Sequence, residues 1–143
     1  YLKGDYASAE KAYRECLKHS QTSPDSVAAT SRWLYATLRH EGKSDEAAKL
    51  VAPLTKDMKV GESSAYKELV LLYKGERTPE QVLTGATDGI NHPTLGYGVA
   101  DFYLVSGQKE KALALLREVV AGPQWAAFGF AAAEAELARQ KAP

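Results

Sequence analysis

The residues that could do chemistry are few and widely spaced. The chain has three histidines, His19, His40 and His92, and one cysteine, Cys16. No HxxxH or HExxH spacing is present, so a metal site would need ligands brought together from distant positions. A lone cysteine permits neither an intrachain disulfide nor a thiolate cage for a metal. As a nucleophile it would need a base positioned beside it; a packed core position is expected for it instead. His19 and His40 fall at expected helix ends, where a cation suits the negative pole of the helix dipole. Gly96-Tyr97-Gly98-Val99-Ala100-Asp101 has two glycines of a dinucleotide loop. Its third small position is Asp101, and no strand precedes it. It reads instead as helix, with two glycines admitting a close neighbour at about 1 kcal/mol each in propensity. No GxSxG or Walker motif occurs. The expectation is a chain with no catalytic residues, no metal site and no cofactor.

The elements that must position these residues are helices. Of 143 residues, 23 are alanine and one is isoleucine, which favours helix and disfavours strand. Eighteen basic and eighteen acidic residues cancel to zero net charge, which argues against general nucleic-acid binding. No apolar run approaches ~18 residues, so no membrane span is expected. The length suits one domain, residues 1 to 143. The chain opens at Tyr1 and its one methionine is Met58, so a fragment or processed product is expected, with Tyr1-Leu2 the remaining end of a truncated first helix of the first hairpin.

Turn signals cut the chain into eight expected helices. Asp5 caps the first, which runs to about Lys18. Ser23 caps the second, with Pro24 at its first position, and it runs to about His40. Ser44 caps a third that includes Leu54. The fourth spans about Glu62 to Lys74. Thr78-Pro79-Glu80-Gln81 forms a capping box for a short fifth, ending near Ala86. A loop from Thr87 to Asn91 leads to a sixth that opens at Pro93 and ends at Gly107. The seventh spans about Gln108 to Ala121. The eighth spans about Gln124 to Arg139 and reads as a capping helix, with Glu134, Glu136, Arg139 and Lys141 facing water.

These helices repeat. Gly4, Gly42 and Gly107 each precede an alanine by five residues (Ala9, Ala47, Ala112) and large apolar residues at nine and twelve. This pattern resembles the second half of a tetratricopeptide repeat. First-helix halves follow in four frames: Ser31-Leu34-Tyr35-Leu38, Tyr66-Leu69-Val70-Tyr73, Gly96-Val99-Ala100-Tyr103 and Trp125-Phe128-Gly129-Ala132. They start 35, 30 and 29 residues apart, around the family's roughly 34. The resemblance implies an all-α, right-handed α-solenoid of antiparallel hairpins. Residues 62 to 140 are also similar to bacterial tetratricopeptide lipoproteins of the NlpI kind, through Leu72-Tyr73-Lys74-Gly75, Thr78-Pro79-Glu80-Gln81 and Phe102-Tyr103-Leu104.

The resemblance implies a concave groove lined by first helices. Its positions map onto Arg32, Ala36, Arg39 and His40, then Lys67, Leu71 and Lys74, then Tyr97, Asp101 and Leu104. The implied function is a non-catalytic scaffold that binds a protein or peptide there, with Arg32, Arg39, Lys67 and Lys74 giving orientation. The alternative is a self-association module. The NlpI-like resemblance implies an adaptor of the bacterial periplasm or cell envelope; without it the compartment would be cytoplasmic.

Overall fold

The computed structural model describes residues 1–86 and 89–141. Among these residues there are eight helices and no strand: α1 (Tyr6–His19), α2 (Pro24–His40), α3 (Ser44–Val51), α4 (Ser64–Tyr73), α5 (Pro79–Thr84), α6 (Asn91–Val105), α7 (Lys109–Ala121) and α8 (Phe128–Lys141). Of the loop expected from Thr87 to Asn91, Thr87 and Asp88 lie outside the described residues. The chain divides into two compact units, one running to Thr78 and the other starting at Pro79.

Helix starts follow local chemistry. The Asp5 carboxylate accepts from the Ser8 amide at 3.1 Å, and the Ser23 hydroxyl accepts from the Ser26 amide at 3.3 Å. His19 and His40 lie in the last turns of their helices. Four boundaries differ from expectation, one being α6, which opens at Asn91 rather than Pro93. Helix α3 ends at Val51, short of Leu54, because Pro53 cannot continue the amide ladder. Its cap position is Lys43 rather than Ser44. Helix α8 opens at Phe128 and leaves Trp125 outside it.

Three helices end in the same turn. Gly42, Gly75 and Gly107 have φ of 76°, 79° and 77°. Each glycine amide bonds the carbonyl three residues back, at 2.9 to 3.1 Å. The next amide reaches the carbonyl five residues back: Lys43 to Leu38, Glu76 to Leu71 and Gln108 to Tyr103, at 2.8 to 2.9 Å. This is the Schellman motif, and a left-handed φ suits glycine there. Gly4, at φ 79°, repeats the first half of it against Tyr1.

Each unit is built around one helix. In the first, α2 touches α1, α3 and α4. Leu34, Tyr35, Leu38, Ala47, Val51 and Val70 form its core, edged by Tyr13, Leu17, Leu50, Leu54 and Tyr73. Helices α1 and α3 are tied at the surface: Glu10 accepts from Lys43 at 2.5 Å and from Arg14 at 2.6 Å, and Arg14 reaches Glu46 at 2.6 Å. Lys43 first, then Arg14, holds the Glu10 carboxyl at about 2.

In the second unit α6 touches α5, α7 and α8. Two glycines set these contacts. A Cβ on Gly96 would meet Val119 of α7 at 2.6 Å. A Cβ on Gly129 would meet the Pro93 carbonyl oxygen of α6 at 2.3 Å. Helix α8 touches α7 as well as α6, which corrects the reading of Glu136. It does not face water. It is 2% exposed and accepts from Arg139 and, at 2.8 Å, from Gln140.

Helix propensity alone makes Gly129→Ala stabilising by about 1 kcal/mol. The Pro93 backbone makes it destabilising instead, by about 1–3 kcal/mol as overpacking costs. Urea unfolding of the variant decides the sign, and a gain in stability would show that α6 and α8 do not meet at Gly129.

Candidate interaction surface

The residues expected to line a groove are mostly committed elsewhere. The segment from residue 52 to 63, between α3 and α4, lies as a strap over α2 and α4. Lys67 donates to the Met58 carbonyl at 3.3 Å, and Lys74 to the Leu54 carbonyl at 2.5 Å. Lys74 also pairs with Glu76 at 2.8 Å. From α2, Asp25 accepts the amides of Gly61 at 3.0 Å and Ser63 at 2.7 Å. Leu54, Thr55 and Met58 close over Ala28, Lys67, Val70 and Leu71 with no room for water between them. Leu71 is 1% exposed.

The other positions fare similarly. Arg39 donates to the Tyr35 hydroxyl at 2.7 Å, and Tyr35 stacks on Tyr73 with centroids 4.1 Å apart. His40 stacks on Tyr6 at 4.6 Å. Arg32, Tyr97 and Asp101 are each 1% exposed, and the Arg32 guanidinium lies 3.8 Å from the Trp33 ring centroid. Ala36 is buried and Leu104 half-buried. Arg32, Leu71, Tyr97 and Asp101 therefore do not present an open surface. Helices α2 and α6 each contact three others, while Arg39, His40, Lys67, Lys74 and Leu104 are half-buried.

Cys16 is not a core thiol. The residue is exposed, with its sulfur 3.5 Å from the Thr30 hydroxyl. Among the described residues, no cluster of three or more His, Cys, Asp or Glu could hold a metal ion.

The exposed apolar surface lies in the second unit. Ile90, Trp125 and Phe128 are 65%, 76% and 49% exposed. Ile90 precedes α6, while Trp125 and Phe128 stand at the start of α8. The contact of Gly129 with Pro93 brings those two helix starts together. Beside them is a cleft of about 320 Å³, lined by Gly89, His92, Glu118, Ala121, Gly122, Pro123 and Gln124. Its lining offers a carboxylate, an imidazole and an amide, but no hydroxyl, thiol or amine.

Sequence reading placed Trp125 in a helical packing stripe. The Ala127 amide bonds the Gln124 carbonyl at 3.0 Å, and that turn holds the indole outside the helix. The Gly122-Pro123 break was the available signal, since it marks a chain not yet helical at Trp125. Comparison with protein-family models, curated proteins and solved structures finds no match to this chain. No helix is long and apolar enough to cross a membrane among the described residues.

Asp25 gives the strap a pH dependence. Amide hydrogen bonds, from Gly61 first and then Ser63, hold its carboxyl below the ordinary 3.8. A depressed folded value stabilises the folded strap above 3.8 and loses that contribution as pH falls through the folded value. The amide proton shifts of Gly61 and Ser63 are therefore expected to stay flat down to 3.8 and to move together below it. Asp25→Asn removes that step. A midpoint above 3.8 would contradict the assignment.

Proposed function

We propose that the chain is a non-catalytic scaffold of tetratricopeptide-like antiparallel hairpins that binds a protein or peptide partner. The hairpin reading is supported by α2–α3 and α6–α7, each closed by the same left-handed glycine turn. Contacts of α2 with α4 and of α6 with α8 support it further, because stacked hairpins bury their faces on their neighbours. The bacterial envelope setting rests on the Leu72-to-Leu83 joint and the repeat that follows it.

The observation that carries the binding role is Trp125, a tryptophan 76% exposed beside a cleft. Large exposed apolar residues rimmed by polar ones mark interaction sites, and tryptophan is enriched among binding hot spots. Binding therefore sits at the starts of α6 and α8 rather than in the groove first assigned. The same exposed indole would also suit a second copy of the chain.

Selection of a displayed random-peptide library against the wild-type chain tests this. Trp125→Ser is expected to weaken the selected peptides by about tenfold or more, roughly 1.4 kcal/mol per decade, while Lys59→Ser on the strap leaves them unchanged. Loss on Arg39→Ala and Lys74→Ala, with Trp125→Ser neutral, would return the site to the groove. Light scattering over a concentration series covers the alternative: a dimer that Trp125→Ser dissolves would make self-association the function.

A further inference from the structure

Four helices carry a basic residue in the last turn and four, α4, α5, α6 and α7, carry none; of those four, only α7 places an acidic residue there. Basic residues occupy the last turns of α1 (Lys18, His19), α2 (Arg39, His40), α3 (Lys49) and α8 (Arg139, Lys141). They complement the negative pole of each helix. Helix α7 has no basic residue in its last turn. It carries Glu118 there instead, adding a negative charge at the pole that already repels one.

Among the described residues, no ion pair relieves this. Glu118 is exposed. Gly122 leaves the helix in extended conformation, φ −76° and ψ 165°, with only its amide on the Val119 carbonyl. The other end carbonyls of α7 lack a partner within the helix, as at any helix C-terminus. Glu118, Ala121 and Gly122 all line the cleft, and the Gln124 side-chain oxygen lies over Gly122. The site presents the Glu118 carboxylate, the Gln124 amide and the His92 imidazole on an open depression, and the exposed indole of Trp125 is next in sequence to its lining.

We propose that this cleft binds an arginine side chain of a partner peptide. A planar guanidinium pairs with a carboxylate in two bonds, donates further to carbonyls, and stacks on an indole. Its charge meets both Glu118 and the negative pole of α7. The cleft, about 320 Å³ and open to solvent, has room for one side chain. Apolar residues flanking the arginine would cover Trp125, Phe128 and Ile90. Local rules broken without internal compensation mark functional sites, and here the missing compensation is a cation from outside.

This inference rests on the interaction reading, and its test is separate. The probes are acetyl-Leu-Arg-Leu-amide and the same peptide with neutral, isosteric citrulline in place of arginine. Binding is followed through the Trp125 indole and the Ala121 and Gly122 amide signals in NMR titrations. The arginine peptide is expected to shift them saturably, and citrulline to bind at least tenfold more weakly. Glu118→Gln should lower arginine affinity to the citrulline level, and added salt should weaken only the arginine peptide. Equal binding of the two peptides, or no binding of either, overturns the proposal. If Glu118→Gln fails to fold, the citrulline comparison on the wild-type chain still decides. Library peptides that depend on Trp125 but carry no arginine would leave the scaffold reading standing and this one fallen.

Discussion

Gly42, Gly75 and Gly107 turn the chain at φ between 76° and 79°, a region that costs an ordinary residue roughly 1–2 kcal/mol. Much of the structure depends on that turn. It ends α2 and α6 sharply enough for Ala47 and Ala112, five residues beyond Gly42 and Gly107, to be fully buried. Only a small side chain fits where two helices cross so soon after a turn. The larger residues that follow, Val51 and Leu116, then reach the interior. The abundance of alanine in the composition thus reflects crossing geometry as well as helix propensity.

Burying α2 and α6 among three neighbours each has a consequence for charge. Long cationic side chains next to such helices find carbonyls and hydroxyls of their own chain before they find a partner. Lys67 and Lys74 hold the strap, and Arg39 holds Tyr35. A buried or half-buried cation so bonded costs too much to release for casual recognition. On the proposed scaffold role, recognition falls to element ends, where a turn can hold an indole outside the packing. The starts of α6 and α8 are such a place, and the acidic end of α7 adds a charge with no ion pair among the described residues.

The sequence made the eight helices and their order legible, because glycine, proline and capping residues act over three or four positions. The repeating glycine-to-alanine offset was legible for the same reason. Exposure was not. A 3.6-residue period identifies one buried face, but Arg32, Leu71, Tyr97 and Asp101 are buried as well. Glu136 was misread in the same way, since α8 packs against α7 as well as α6. Cys16 failed in the opposite direction: it follows the apolar spacing of α1, yet the residue is exposed. Trp125 was missed because the eighth helix was started four residues too early.

The three glycine turns are one motif used three times. Urea unfolding of Gly42→Ala, Gly75→Ala and Gly107→Ala, each made singly, tests it most directly. A Cβ meets nothing within 4 Å at any of the three, so backbone strain alone is measured. The account predicts losses of similar size, about 1 kcal/mol each once the lower entropy of the unfolded alanine chain is set against the strain. A neutral or stabilising alanine at any one of them would contradict it, because that turn would not need the left-handed conformation.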